Sequence, residues 1–272
     1  MADRLDADRI AEGVLPALRS QLRRVTVLEV VDSTNTELAR LAPAEQHAHA
    51  LLAERQTAGR GRGARRWHSP AGGNVYLSFG WRFRGLGTEA SALPLAVAVA
   101  VSESLAAAGV QGAGIKWPND ILVDGCKLAG ILVESQARGA SDTVVITGIG
   151  INVRMGSTGT EQANAAIDRP WVDLESCLPA PLRPVDRNRL VSGLLDRLLA
   201  AFGRFEQSGF ASFRPRYEAL DLLEGRALSL ECETGEIRGT GRGVDDLGRL
   251  LITMADGEVR AFHSGEAHLH KE

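Results

Sequence analysis

The segment GIKWPNDILVDGCKLAGILVES, residues 114–135, limits the possible folds more than any other part of this chain. Asp124 and Gly125 stand between two apolar runs, and an Asp-Gly pair supplies the left-handed backbone that a two-residue hairpin turn requires. The runs on either side are therefore expected to pair as antiparallel strands. VTVLEVV (25–31) reads as a strand leading into a helix that starts at Ser33, Thr34 and Asn35, with Thr34 and Glu37 at capping-box spacing. ALLAER (50–55) and TVVITGIGINV (143–153) read as buried strands, and NVYLSFGW (74–81) alternates Val75, Leu77, Phe79 and Trp81 on one face. Helical patterns cover residues 4–22, 88–108, 181–209 and, more briefly, 210–221. In the first of these, Leu5, Val14, Leu15, Leu18 and Leu22 are available for one face. After residue 223 short strand-like runs alternate with turn signals, a density that suits a small β-barrel. The expected architecture is α+β: a mixed sheet with flanking helices over 1–222, followed by a small C-terminal barrel over 223–272.

Composition narrows the function. The 272 residues carry a formal net charge of −3 with 5% aromatic residues, which does not suit a protein that coats nucleic acid. The N-terminal MADRLDADRI is charged from its third residue and does not read as a secretory signal. The apolar run 92–110 contains Pro94, Ser102, Glu103 and Ser104, so it reads as a core helix and not a membrane span. Cys126, Cys177 and Cys232 form no C-x-x-C pair, which fits a reducing cytoplasm.

Against this background AERQTAGRGRGARRWHSP (53–70) concentrates five arginines, from Arg55 to Arg66, among glycines. Such a loop is either solvated, with RNA as a possible partner, or built to close over an anion. Lysine is correspondingly scarce. Of 31 Lys and Arg residues only Lys116, Lys127 and the near-terminal Lys271 are lysines, and the first two share one segment. A compact ammonium is not interchangeable with a planar guanidinium, so these two lysines are candidate site residues.

Several chemistries are missing from the sequence. It contains no P-loop, no G-x-S-x-G and no H-E-x-x-H, and GIGINV and GTGRG lack the dinucleotide-binding spacing. The pairs His47/His49 and His268/His270 read as surface histidines of a loop and a tail. What is present is a set of anion-handling groups: Arg60, Arg62, Arg65 and Arg66 on the glycine loop, and Lys116 and Lys127 flanking the hairpin. Glycines 59, 61 and 63 let the backbone approach a ligand closely. In KWPND, Pro118 holds Trp117 extended, so Lys116, Asn119 and Asp120 sit on a short fixed turn. A turn alone does not require that tryptophan.

With these residues in hand the chain resembles the biotin–protein ligases. DSTNTE, RQTAGRGR, RRWHSPAGGNVYLSF, KWPNDILVDGCKLAGILVE and GIGINV occur in that order, and GVDDLGRLLITMADGEVRAFHSGEAHLH resembles the family's SH3-like C-terminal domain. The resemblance spans residues 25–270. It implies activation of biotin by ATP to biotinyl-5′-AMP, then transfer to one lysine of the biotin carboxyl carrier domain of an acetyl- or propionyl-CoA carboxylase. Ser33, Thr34, Asn35 and Gln56 would hold the ureido ring, and Arg60, Gly61, Arg62 and Lys127 the carboxylate side. Arg62, Arg65, Trp67, Lys116, Asn119 and Asn152 would take the adenylate, with Trp67 packing on adenine. Arg60, Lys127, Asp120 and Lys116 would be the catalytic set, Asp120 either binding Mg²⁺ or orienting the acceptor amine. The arginine loop would then order on its ligand. Gly63-Ala64 departs slightly from the family pattern and leaves that loop more flexible.

Some family members also carry an N-terminal winged helix. About 24 residues precede the first core strand here, so a ligase without operator binding, nucleic acid or membrane partners is expected. Lipoate or octanoate transfer is the alternative enzyme reading, against which the polar Ser-Thr-Asn and Gln56 set argues. An RNA-binding protein is the non-enzyme alternative, against which the net charge and few aromatics weigh.

Overall fold

A computed structural model describes residues 4–63, 65–137, 142–155, 167, 169–232 and 235–270. Ala64 and Lys271 lie outside the described residues. Seven strands form the main sheet: β1 (Arg24–Val31), β2 (His49–Gln56), β3 (Val75–Arg84), β4 (Gly114–Lys116), β5 (Asp120–Val123), β6 (Cys126–Ala137) and β7 (Asp142–Ile151). Their spatial order is β1-β2-β3-β7-β6-β5-β4. Only the β1–β2 pair is parallel, so the sheet is mixed as the sequence predicts. The β5–β6 turn has Asp124 at φ 50° and Gly125 at φ 76°, the left-handed pair the Asp-Gly signal predicts.

The register of that hairpin shapes the cavity beside it. Asp120 pairs with Gly130 and Ile121 with Ala129, but Leu122 pairs with Lys127, so one residue is inserted into β6. Side chains alternate along a strand, and Lys127 and Gly130 would ordinarily point to opposite faces. The bulge puts both on the face of Asp120.

Apolar surface is buried on both sides of the sheet, and β3 is covered along nearly its whole length because it lies between β2 and β7. The apolar helix Leu93–Ala107, entered through a 3₁₀ turn at Thr88–Ala92, is the central core helix. Together with that turn it makes a 20-residue segment, Thr88–Ala107, that by length and composition could cross a membrane, yet Leu93, Leu95 and most residues through Leu105 are buried inside this fold. It packs beside the long amphipathic helix Arg187–Ser208, whose Phe202 lies within 6 Å of the ring centroids of Phe79, Trp81 and Phe83.

The second sheet is antiparallel, β11-β10-β9-β8-β12, from β8 (Ala227–Cys232), β9 (Gly235–Val244), β10 (Leu250–Thr253), β11 (Val259–Phe262) and β12 (Glu266–Leu269). Among the described residues β11 and β12 do not pair, so the expected barrel is not closed by hydrogen bonds.

Three sequence expectations need correction. Residues 4–22 form two short helices, Ala7–Gly13 and Pro16–Arg19, because Pro16 has no N–H to continue the first and instead opens the second. Leu15 at the break is left exposed. His49 is not a surface loop residue: it opens β2, is buried, and bonds Thr26 Oγ1 (2.9 Å) and the Glu45 carbonyl (3.0 Å). Burial holds its imidazole below the ordinary histidine range. His268 lies in β12 and not in a tail.

Candidate active site

A cavity of about 320 Å³ opens over the middle of the main sheet. One end of it is neutral and polar. Ser33 is the N-cap of the helix Thr34–Arg40, but its hydroxyl makes no capping bond, and Glu37 binds Arg40 instead of closing the expected capping box. The Thr34 N–H donates to Gln56 Oε1 (2.9 Å), and so does its hydroxyl (3.2 Å). Gln56 Nε2 in turn donates to Ser69 Oγ at 3.0 Å. Asn35 Nδ2 donates to Glu134 Oε2 at 2.8 Å, while Ser78 Oγ lies 2.5 Å from Asn35 Oδ1 and 2.8 Å from Thr34 Oγ1. Buried amides and hydroxyls are stable only with partners, and this network fixes which atoms each one presents. Gly148 opposite is indispensable to the arrangement, since a Cβ there would stand 2.5 Å from Asn35 Oδ1.

The arginine loop forms the lid of the cavity. The backbone pairs as a small hairpin: Trp67 N–H to Gly59 O (2.9 Å), Gly61 N–H to Arg65 O (2.7 Å), with Gly63 at φ 59° in the turn. Its guanidinium groups are tied in different directions. Arg60 binds Glu134 at 2.7 Å, Arg65 binds Glu266 of β12, and Arg66 donates to the Thr57 carbonyl. Burial, with Arg65 close by, takes some basicity from Arg62, which lines the cavity.

The charged end centres on Lys127, whose Nζ lies 2.6 Å from Asp120 Oδ1 with both side chains largely buried. The β6 bulge makes this pair possible. Trp67 lies flat against the backbone at Gly130 and Gly150, where a Cβ would come within 2.9 and 2.4 Å of the indole. Lys127 Nζ sits 5.1 Å from the centroid of that ring. Lys116 is opposite Asp120 in the β4–β5 register but does not line the cavity. Burial lowers its basicity, and Asp120 and Glu266 partly restore it. Asn119 and Asn152 do line the cavity, but their amides brace the backbone. Asn119 donates to the Ile131 carbonyl (2.6 Å), Asn152 to those of Lys127 (3.1 Å) and Val172 (3.2 Å).

Four further residues were not singled out by sequence. Glu134 holds Asn35 and Arg60 together. Arg169 and Trp171 line the cavity on a segment that pairs beside Lys127. Glu266 arrives from the second sheet and holds Arg65 and, at 2.9 Å, Arg169. Burial would raise the Glu266 carboxyl, but Arg169 and Arg65 outweigh it and hold the group below the usual carboxylate range.

Cations around a cavity whose other end is neutral and hydrogen-bonding suit an elongated substrate with a polar head and an anionic tail, together with a second anion. Tryptophans beside the cations suit a nucleotide base. Among the described residues of the cavity no side chain is set up as a nucleophile, and the lining suits a carboxylate brought to a phosphate. Residues 27–152 match the biotin/lipoate A/B protein ligase family, and residues 225–269 match the biotin protein ligase C terminal domain. The chain is 36% identical to the bifunctional ligase/repressor BirA of Escherichia coli, over 90% of this chain and 74% of that protein. It is 34% identical to the biotin–[acetyl-CoA-carboxylase] ligase of Mycobacterium tuberculosis, over 93% of this chain and 94% of that one. Among solved structures, the biotin protein ligase from Aquifex aeolicus in complex with biotin and ATP superposes with a TM-score of 0.73 at 30% identity, covering 91% of this chain and 99% of that one. The chain belongs to the biotin protein ligase family.

Proposed function

We infer that this chain is an ATP-dependent biotin–protein ligase, and that the cavity is where it works. The biotin carboxylate oxygen attacks the α-phosphorus of ATP, the bond to the bridging oxygen breaks, and pyrophosphate leaves. The lysine amine of a carrier domain then attacks the acyl carbon, AMP leaves, the amine gives up a proton, and an amide remains. Neither step needs an enzyme nucleophile. Both need two anions held together without water, which is a task of positioning and charge compensation.

Ser33, Thr34, Asn35 and Gln56 take the ureido ring, whose N–H and C=O groups would be costly to bury unpaired. Lys127 faces the reacting carboxylate, and Arg60, Gly61 and Arg62 close that side. Arg65, Trp67, Asn119 and Asn152 take the nucleotide, the two asparagines by holding the wall in shape, and Lys116, outside the cavity lining and opposite Asp120, adds its charge to that end. Mg²⁺ bound with ATP would neutralise phosphate charge. Asp120 fits it only as a single carboxylate ligand to an ion carried on the phosphates, because the described residues contain no cluster of three acidic, histidine or cysteine side chains. Asp120 otherwise keeps Lys127 in place and is placed to receive the proton of the acceptor amine. The carrier domain of an acetyl- or propionyl-CoA carboxylase is the partner, the 222/223 division separates the catalytic unit from the smaller one, and a reducing cytoplasm suits a sequence whose three cysteines form no C-x-x-C pair.

The observation that carries this reading is the joining of a neutral polar head pocket to a lysine–arginine end within one cavity. Pyrophosphate exchange into ATP, with Mg²⁺, is expected with biotin and not with lipoate or octanoate. Exchange with the fatty acids alone would move the chain to the lipoate branch.

The behaviour of the arginine loop is part of the same reading. Its tethers to Glu134 and Glu266 are exposed ion pairs, each worth no more than about 1 kcal/mol. Anionic ligands therefore displace them readily, and the loop orders on the adenylate. Amide exchange at 60–66 should slow by about tenfold or more when biotin and ATP are added. Full protection of the ligand-free loop would contradict this.

A further inference from the structure

Trp117 has no place in the chemistry above, yet it is a large side chain, 2% exposed, in the middle of the Lys116–Asp120 turn. Its Nε1–H donates to the carbonyl of Gly248, 3.0 Å away in the loop between β9 and β10 of the second sheet. That loop is tied down on its other side by Ser91 Oγ, which donates to the Leu247 carbonyl at 2.6 Å, and by an ion pair between Arg214 and Asp246 at 2.5 Å. Gly248 is at φ 71° and packs so closely that a Cβ would lie 2.8 Å from Ala92 Cα.

The turn needs such support. β4 is three residues long and forms the outer edge of the main sheet. Its free side is taken by the chain leading into the second sheet: Ile115 N–H donates to Leu220 O (2.7 Å) and Leu222 N–H to Ile115 O (3.0 Å). Leu222 also covers Gly114, where a Cβ would come within 2.4 Å of its side chain. The turn that carries Lys116 and Asp120 is thus held by the pairing of β5 with β6 on one side, and through Ile115 and Trp117 by residues 220–222 and 248 on the other. The head-group pocket at Ser33 and Gln56 shares none of these contacts.

We propose that the 245–249 loop of the second sheet is a positioning element for adenylation, holding Lys116 and Asp120 in register through the Trp117–Gly248 hydrogen bond. The inference rests on the reading above that Asp120, paired with Lys127, stands at the reacting end of the site and that Lys116 adds its charge beside it. Trp117 and Gly248 are positioning residues and touch no substrate.

Trp117→Phe in the full chain keeps a ring in the core and removes the one donor. It should lower kcat for biotin-dependent pyrophosphate exchange about tenfold, the size of one buried hydrogen bond, with KM for biotin changed less than twofold. Biotin binding measured without ATP should be unaltered, while amide exchange quickens at 114–123 and 245–249 but not in β1–β3. Ser91→Ala, which loosens the same loop from an exposed position outside the motif, should give the same pattern at about two- to threefold. Unchanged kcat together with unchanged exchange at 114–123 would overturn the proposal. So would an equal loss of biotin affinity with faster exchange throughout, which would make Trp117 an ordinary core residue. If the wild-type chain shows no exchange with biotin, the functional reading fails on its own, and the amide-exchange comparison still decides the coupling.

Discussion

Lys127→Arg will lose about a thousandfold in biotin-dependent pyrophosphate exchange, although it keeps the charge. A cation about 4 Å from an anion contributes about 4 kcal/mol at the effective dielectric of a partly closed site, and that corresponds to about three decades in rate. Arginine cannot supply it here because of the room available. A Cβ built on Gly130 would lie 3.0 Å from Lys127 Cε and 3.1 Å from Nζ, so the lysine stem lies directly against glycine backbone. Trp67 closes one side and Asp120 receives the ammonium at 2.6 Å. A planar fork does not enter that slot without moving the strand or the indole. Lys127→Gln should lose as much by losing the charge. The arginine variant should melt within a few degrees of the parent, because the replaced group packs on the cavity and not in the core, and the glutamine variant should melt lower, because it leaves the largely buried Asp120 without its cation. Parallel exchange assays and melting curves test this; retention of activity by the arginine variant to within tenfold would mean that any cation suffices.

Arg187→Ala will instead cost stability, about 3–5 kcal/mol. Arg187 and Glu54 form a buried ion pair, 1% and 7% exposed, with Nη1 to Oε2 at 2.9 Å and Nη2 to Oε1 at 3.2 Å. Arg187 also donates to the Asn74 carbonyl (3.0 Å), and Glu54 accepts from the Leu5 N–H (2.8 Å). Removing the arginine leaves a carboxylate in the interior that can only protonate or admit water. Glu54→Leu with Arg187→Met removes both charges and should recover part of the loss, since no buried charge remains although the Leu5 N–H and the Asn74 carbonyl lose their partners. Urea unfolding of the two singles and the double gives the comparison. A single variant within 1 kcal/mol of the parent would mean that water already reaches the pair. The site would register the damage indirectly. Asn74 Oδ1 accepts from Val153 N–H, and Asn74 Nδ2 donates to Tyr76 Oη, so the network stands behind a cavity wall.

Local signals carried much of this into view. Asp124-Gly125 makes the hairpin, the apolar run 92–110 makes the core helix, and Ser33, Thr34, Asn35, Gln56, Arg60, Gly61, Arg62, Arg65, Trp67, Asn119, Asp120, Lys127 and Asn152 all line one cavity. Tertiary competition decided the rest. Thr34 has the spacing of a capping residue, but its hydroxyl is taken by Gln56 from β2. The 4–22 periodicity is real on both sides of Pro16, and no periodicity reports a missing N–H. Asn119 and Asn152 look like ligands by type, and only the fold reveals the carbonyls they serve. Glu266 is one acid in a short polar strand, about two hundred positions from Arg65, and nothing in its neighbourhood marks it. The tryptophan in KWPND was legible only as an unexplained choice, since its partner is a backbone carbonyl.

The edge of the main sheet also sets an order of assembly. Ile115 must meet Leu220 and Leu222, and Trp117 must meet Gly248, each across more than a hundred intervening residues. Closures of that span are slow compared with hairpins and helices, because chain entropy is lost before any contact offsets it. During synthesis the ribosome releases the head-group pocket, the arginine loop and both lysines well before the residues that square them up. If the 245–249 loop positions the Lys116–Asp120 turn as proposed, a chain still lacking that loop forms the acyl phosphate more slowly than the finished one.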